Sequence, residues 1–106
     1  HRHVQNLSQL TSEERDELAV IYSRLISAMD KIYETPTPYI SAWHQAPMVE
    51  GGDKIRLQLQ ITSPRRAADK LKYLAGSESA AGVWINDISP EDAAQALREG
   101  LRKVTA

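Results

Sequence analysis

The 106 residues carry 13 Lys and Arg against 14 Asp and Glu, a formal net charge of −1. This balance argues against nucleic acid as the main partner, because proteins that bind it need an excess of positive charge. The absence of cysteine excludes a disulfide framework and a thiolate zinc site within the chain. No apolar run approaches the roughly 18 residues that span a bilayer, so we expect a soluble protein without membrane contact. A chain of this length is one domain at most, and its start at His1, without Met, suggests a segment of a longer protein.

The first element that the sequence predicts is a long helix. Thr11 followed three residues later by Glu14 is a capping box, which marks the start of a helix. Pro36 and Pro38 end the element, so the helix has about six turns. Its predicted apolar stripe recurs at three- and four-residue spacing and consists of Leu18, Ile21, Tyr22, Leu25, Met29, Ile32 and Tyr33.

Two antiparallel strands follow. Residues 39–44 are rich in strand-forming types, and residues 55–61 alternate between apolar and polar side chains. The apolar members of the second strand, Ile55, Leu57, Leu59 and Ile61, should therefore share one face. Gln58 and Gln60 should lie on the other face, and residues 47–53 with two consecutive glycines form the connection.

The last part of the chain contains an irregular stretch and a second clear helix. Residues 65–74 favour no single structure, and Gly76 and Gly82 interrupt the next piece, which predicts a loop with at most short helices. Ser89 followed by Pro90 is typical of a helix start, although Gly100 weakens the pattern near its end. The predicted order is a long helix, an antiparallel strand pair, an irregular segment and a C-terminal helix, an α+β fold.

Few residues suggest catalysis by this chain alone. No nucleophile with an adjacent base and no Gly-rich phosphate loop is evident. The candidate residues each have an ordinary structural interpretation. His44 could simply pack with a hydrogen bond, Gln58 and Gln60 could lie on the solvated side of a strand, and the basic run from Arg65 to Lys72 could be a solvated surface. The basic run could alternatively hold a phosphate, and Glu78 could offer a carboxylate to sugar hydroxyls.

Three stretches of the chain resemble one enzyme family. The stretch Pro38 to Pro47 contains Trp43-His44-Gln45-Ala46-Pro47, the likeness continues from Lys70 to Glu78, and Ile85 to Ala94 matches the closing helix. In this order they are similar to the galactose-1-phosphate uridylyltransferase family, over nearly the whole chain. The resemblance implies that residues 1–106 are part of the C-terminal, histidine-triad-like domain of such a protein.

The family's activity follows from that resemblance. Its members exchange UMP between UDP-glucose and galactose 1-phosphate through a uridylyl-histidine intermediate. The nucleophile belongs to a His-Pro-His-x-Gln motif that does not occur in these residues. The resemblance therefore implies a part that supplies hexose-phosphate binding and dimer contacts, and that is inactive alone.

The resemblance also assigns substrate-binding positions. Lys72 matches the family's lysine and Glu78 its glutamate in the segment that holds the hexose phosphate, and that segment reaches the partner subunit of a dimer. Tyr73, Ala75 and Ser77 lie between them, where the family uses mostly main-chain contacts. A further family glutamine falls near Val83 and Trp84, which have no amide side chain.

No metal or other cofactor is expected in this chain, although the resemblance implies that some family members carry zinc and iron. His44 matches a family iron ligand, but the companion histidines fall at Gln58 and Gln60. We expect a hydrogen-bond network instead, in which an amide of Gln58 or Gln60 engages the imidazole of His44.

The sequence thus predicts the C-terminal part of a hexose-1-phosphate uridylyltransferase. Its partners would be UDP-glucose or UDP-galactose and hexose 1-phosphate, and the full enzyme would be a cytoplasmic homodimer. Two alternatives stay open. One is a non-catalytic, degenerate histidine-triad-like assembly module, and the other is a related nucleotide phosphorylase.

Overall fold

The computed structural model describes residues 2–105, apart from the side chain of Ser79. The fold is α+β, as predicted. None of the helices within residues 2–105 has the length and apolar character needed to cross a membrane. The helices are α1 (Ser12–Asp30), α2 (Gly76–Ala81) and α3 (Pro90–Thr105), with short 3₁₀ turns at Leu7–Gln9 and Gly52–Lys54. The strands are β1 (Ile40–His44), β2 (Gln58–Thr62), β3 (Arg65–Ala67) and β4 (Lys70–Leu71).

The start of α1 is the predicted capping box. The backbone N–H of Glu14 donates to Thr11 Oγ1 at 3.2 Å, and the N–H of Thr11 donates to the Glu14 carboxylate at 2.9 Å. The Arg2 guanidinium also donates to this carboxylate. The pKa of Glu14 is lowered to about 2, mainly by the hydrogen bond from Arg2 and secondly by that from the Thr11 backbone. Glu14 therefore ties the N-terminal segment to the first turn of the helix.

The end of α1 comes earlier than predicted. The helix stops at Asp30 rather than continuing to Tyr33. Glu34, four residues later, adopts a left-handed conformation with φ 51°. The Asp30 carboxylate accepts a hydrogen bond from the N–H of Thr37 at 2.7 Å, and the Thr37 hydroxyl donates to the Met29 carbonyl at 3.1 Å. These contacts satisfy groups at the helix end and turn the chain before the two prolines act.

The predicted antiparallel strand pair is present but shorter than expected. β1 and β2 pair so that Trp43 lies opposite Leu59 and His44 opposite Gln58. The second strand begins at Gln58, not at Ile55, because a 3₁₀ turn occupies Gly52–Lys54 and ends at Ile55. The prediction that Ile55 and Leu57 belong to the strand was therefore wrong. The alternation within β2 was right, with Leu59 and Ile61 half-buried and the intervening positions exposed.

The stretch that the sequence left ambiguous is a second antiparallel pair, β3 with β4. The guanidinium of Arg65 stabilises it by donating to the carbonyl oxygens of Ala68, at 2.8 Å, and Pro36, at 3.0 Å. The short helix α2 follows and ends at Gly82, whose φ of 63° is the left-handed conformation of a helix C-terminus. One short helix in this piece agrees with the prediction.

The chain divides into two compact units. The first contains the chain up to Ile21 together with Tyr39–Ser63, and the second contains Tyr22–Pro38 together with the chain from Pro64 onward. Within the second unit α3 begins as predicted, with the N–H of Asp92 donating to Ser89 Oγ at 3.1 Å. Gly100 and Ala28 are both buried, and they meet so closely that a Cβ atom on Gly100 would overlap the Ala28 carbonyl oxygen.

Candidate functional site

The predicted substrate-binding lysine lies at the end of the β3–β4 hairpin. Its backbone N–H donates to the Pro64 carbonyl at 2.6 Å, which extends the pairing by one residue beyond Leu71. The side chain of Lys72 is 15% exposed. A lysine is rarely so enclosed unless its ammonium group is paired, so its partners identify what this part of the chain can do.

Those partners include the predicted substrate-binding glutamate. Nζ of Lys72 lies 2.7 Å from Oε2 of Glu78, whose side chain is completely buried. Glu78 occupies the first turn of α2, and its Oε1 accepts a hydrogen bond at 3.1 Å from the N–H of Ala75, the N-cap residue. Because Ala75 has no side chain able to cap a helix, Glu78 supplies part of the capping itself. Both carboxylate oxygens are thus engaged within the protein.

The electrostatics of the pair favour its charged form. The hydrogen bond with Lys72 is the main cause that lowers the pKa of Glu78, with further lowering by the backbone of Ala75 and Ile85, while burial acts in the opposite direction. The carboxylate is therefore ionised at neutral pH. A buried carboxylate without this partner would be costly, so the two side chains depend on each other.

A second contact of Lys72 closes the segment on itself. Its ammonium group donates to the carbonyl oxygen of Ile85 at 2.7 Å. We call residues 72–85 the 72–85 segment. The ammonium joins the two ends of this segment and the helix α2 between them.

The other predicted positions in the segment differ in their surroundings. The side chain of Tyr73 is 92% exposed. The N–H of Ala75 already donates to Glu78, and the carbonyl of Ser77 accepts from the N–H of Val83 at 3.0 Å. The structure therefore brings Lys72, Ala75 and Glu78 together and leaves the ring of Tyr73 outside this cluster.

The residues near which the resemblance places a family glutamine, Val83 and Trp84, are apolar and exposed. Val83 and Trp84 expose 59% and 68% of their area. They follow Gly82 at the end of α2 and precede Ile85, the acceptor of the Lys72 hydrogen bond. This part of the segment offers a contact surface for apolar groups and no side-chain amide.

The second place where the sequence predicts a cluster is the polar face of the β1–β2 pair. Nε2 of His44 lies 3.0 Å from Oε1 of Gln60. Since an amide oxygen can only accept, the imidazole donates from Nε2. The register places Gln58 directly opposite His44. Gln60, two residues further along β2 and opposite Ala42, lies on the same face. The predicted hydrogen bond between these strands is present, with Gln60 as the partner.

The donor set around His44 does not suit an iron or zinc ion. A firm site for such metals needs several imidazole, thiolate or carboxylate ligands, and the neighbours here are neutral amides. Across residues 2–105, no three His, Asp or Glu side chains come together in an arrangement able to hold a metal.

The basic run does not act as one phosphate-binding surface. Arg65 donates to backbone carbonyls, as described above, and Arg66 donates to the carbonyl of Arg65 at 3.0 Å. Lys70 is exposed on β4, and Lys72 is paired with Glu78. Of the four cations, Lys72 lies in the segment that the resemblance marks, so it is the candidate for binding a phosphate.

Comparison with known proteins tests the resemblance directly. The family model described as the galactose-1-phosphate uridyl transferase C-terminal domain matches residues 1–105. The chain belongs to this family.

Named relatives agree with that assignment. The chain is similar to the galactose-1-phosphate uridylyltransferase of Thermotoga maritima, with 33% identity over 100 residues that cover 92% of this chain and 31% of the relative. The enzyme of Rattus norvegicus is 39% identical over 102 residues, which cover 92% of this chain and 27% of the relative. The chain thus spans about a third or less of the curated relatives that it matches.

Solved structures give the same result for the fold. A structure described as uridylyltransferase superposes with a TM-score of 0.87 at 33% identity, covering 96% of this chain and 32% of the other. A mutant uridylyltransferase superposes with a TM-score of 0.88, covering 97% of this chain and 34% of the other. The family that the motifs implied and the α+β fold are confirmed.

One participant in the site could not be found from the sequence. The Ile85 carbonyl oxygen accepts from Lys72, but every residue has such an oxygen, so no side-chain pattern marks it. The spacing of Lys72 and Glu78 does not predict their contact either. Lys72 follows β4 and Glu78 lies in α2, so the relative placement of these two elements decides whether the side chains meet.

Proposed function

We propose that this chain works as the C-terminal part of a hexose-1-phosphate uridylyltransferase that exchanges UMP between UDP-glucose and galactose 1-phosphate. In this proposal the uridylyl-histidine lies outside the chain. Residues 72–85 supply hexose-phosphate binding, with Lys72 holding the phosphate and Glu78 accepting hydrogen bonds from sugar hydroxyls. Tyr73, Ala75 and Ser77 line the same segment and contribute mainly through the backbone.

The observation that carries the proposal is the enclosed ammonium group of Lys72. Its pairing with the Glu78 carboxylate at 2.7 Å supports the view that this ammonium can hold an anion by charge-assisted hydrogen bonds once the carboxylate moves away. Membership of the galactose-1-phosphate uridylyltransferase family supports the identity of that anion as a hexose phosphate. Phosphoryl transfer depends on positioning and charge stabilisation, which a lysine supplies without itself reacting.

The wider proposal concerns assembly and cofactors. The enzyme would act as a cytoplasmic homodimer in which the exposed apolar part of the 72–85 segment contributes to the subunit contact. The chain itself would hold no metal or other cofactor. Without the nucleophile it would not catalyse transfer alone, because positioning groups cannot form the covalent intermediate.

The first prediction tests the two named side chains in the full-length protein. Lys72→Ala should reduce kcat/KM for galactose 1-phosphate by about 10- to 100-fold, the usual cost of losing a charge-assisted hydrogen bond. Glu78→Ala should reduce it as well. The half-reaction with UDP-glucose should suffer less, because the uridine part of that substrate adds binding that galactose 1-phosphate lacks. Each half-reaction is measured separately by rapid quench.

Lys70→Ala is the matched control, since Lys70 is an exposed lysine two residues earlier in the chain. It should behave as the wild type. Wild-type kinetics in both Lys72→Ala and Glu78→Ala would overturn the assignment of substrate contacts.

A non-catalytic assembly module is the second candidate. The amides of Gln58 and Gln60 and the apolar residues Val83 and Trp84 favour it. They stand where the resemblance implies metal-ligating histidines and a sugar-binding glutamine. The two candidates differ in one observable. Incorporation of radiolabelled UMP from UDP-glucose into the full-length protein supports the enzyme, and its absence under conditions where a relative is labelled supports the module.

A further inference from the structure

The carboxylate of Glu78 occupies the place on Lys72 that a phosphate would take. The Lys72 ammonium forms an ion pair with Oε2 of Glu78 at 2.7 Å and donates a hydrogen bond to the Ile85 carbonyl at 2.7 Å. The Lys72 side chain is largely enclosed, so little of the ammonium group remains for an external ligand. A carboxylate and a phosphate oxygen are interchangeable partners for this cation.

A phosphate cannot simply join the existing pair. Placed on Lys72, its two negative charges would lie within a few ångströms of the ionised Glu78, where like charges repel strongly because the site is poorly solvated. Glu78 is also completely buried, so it cannot accept from a sugar hydroxyl in this conformation. Substrate contacts by both residues therefore require that the pair opens.

We propose that Glu78 occupies Lys72 in the absence of substrate and thereby weakens the binding of inorganic phosphate to this site. The inference rests on the proposed function, in which both residues bind the substrate. Opening the pair lowers the apparent affinity for any ligand by the fraction of molecules that are open. Hexose phosphate offsets this cost because Glu78, once released, gains hydrogen bonds with sugar hydroxyls. Inorganic phosphate offers no such contact and is disfavoured.

The variant that tests the proposal is Glu78→Gln. Glutamine is isosteric and keeps an oxygen that can accept from the N–H of Ala75, but it removes the charge that holds Lys72. Inorganic phosphate should bind the full-length Glu78→Gln variant roughly three- to tenfold more tightly than it binds the wild type. Isothermal titration calorimetry measures both affinities. Galactose 1-phosphate should gain less, so the preference for the sugar phosphate should shrink.

Two further variants separate the possible failures. Lys72→Met should lose phosphate binding. Glu34→Gln should leave it unchanged, since Glu34 pairs with Lys103 at 2.6 Å in an exposed ion pair elsewhere in the same unit. Unchanged phosphate binding in Lys72→Met would overturn the proposed function. If phosphate binds Lys72→Met more weakly but binds Glu78→Gln no more tightly than the wild type, the proposed role of Glu78 in weakening phosphate binding is overturned. The proposed function is not affected by that outcome.

A measurement on the wild type keeps the test valid if Glu78→Gln fails to fold. Saturating galactose 1-phosphate should speed amide hydrogen exchange in residues 75–83, because α2 loses the carboxylate that caps its start when the pair opens. Binding of galactose 1-phosphate that leaves this exchange unchanged, or slows it, would show that the ligand binds with the pair closed and would contradict the proposal.

Discussion

The side chains of His44 and Gln60 illustrate how one residue type changes the chemistry of a site. An imidazole in place of the Gln60 amide would be a candidate metal ligand facing His44. The amide instead accepts a hydrogen bond from His44 Nε2 and joins the two strands through that bond. The contact therefore links β1 with β2 by a hydrogen bond between side chains on one face of the strand pair.

A prediction on metal content follows at this scale. The full-length protein, purified without chelator, should contain no stoichiometric iron or zinc bound at His44, because one imidazole and two neutral amides are too weak a ligand set. Elemental analysis of the wild type and of His44→Ala measures this.

The double variant Gln58→His with Gln60→His supplies the positive control. It places three imidazoles on one strand-pair face and should raise metal binding if the geometry suits a metal. Stoichiometric metal in the wild type that disappears in His44→Ala would show the prediction to be wrong.

At the scale of elements, the approach of α3 to α1 depends on a glycine inside a helix. A glycine in a helix usually costs stability relative to alanine, and from the sequence Gly100 only weakens the pattern of α3. The structure explains it, because the Gly100 backbone meets the Ala28 carbonyl oxygen with no room for a side chain. The two small residues let the helices approach within the second unit.

Gly100→Ala should therefore destabilise the protein, against the usual trend for helices. Overpacking at such a contact costs about 1–3 kcal/mol, which we expect to exceed the gain in helix propensity. Gly76→Ala is the control, since Gly76 in α2 has open space around its Cβ position and no positive φ. It should be neutral or slightly stabilising, by up to about 1 kcal/mol. Urea unfolding of the two variants decides the sign, and a stabilised Gly100→Ala would refute the close contact.

At the scale of the whole molecule, the exposed apolar side chains are the feature that predicts association with another protein surface. Within residues 2–105, Ala28 is the single fully buried hydrophobic residue. Large apolar side chains are exposed in the 72–85 segment, namely Tyr73, Leu74, Val83, Trp84 and Ile85. A concentration of exposed large apolar side chains in one segment favours a contact with another protein surface.

The purified 106-residue chain should consequently self-associate. Burial of these side chains between copies removes apolar area from water, which favours association. The double variant Tyr73→Asp with Trp84→Asp should shift the population towards monomer in multi-angle light scattering. Met48→Asp is the control, because Met48 is a fully exposed apolar residue in the other unit. A monodisperse wild-type monomer at high concentration would count against the prediction.

The sequence by itself determined the features that depend on neighbours along the chain. The capping box of Thr11 and Glu14, the Ser89 cap of α3 and the alternation in β2 each involve residues at most three or four positions apart. The motifs around His44 and Lys72 likewise predicted the family, which the comparison confirms.

Only the tertiary structure decided the features that join distant residues. α1 ends early because Asp30 and Thr37 meet across a turn, and Gly100 is required because Ala28 lies against it. The pairing of Lys72 with Glu78 and Ile85 depends on how the β3–β4 hairpin is placed against α2. Residue types and local spacing specify which groups can interact, whereas a buried ion pair forms only where the folded backbone brings the charges together and excludes water.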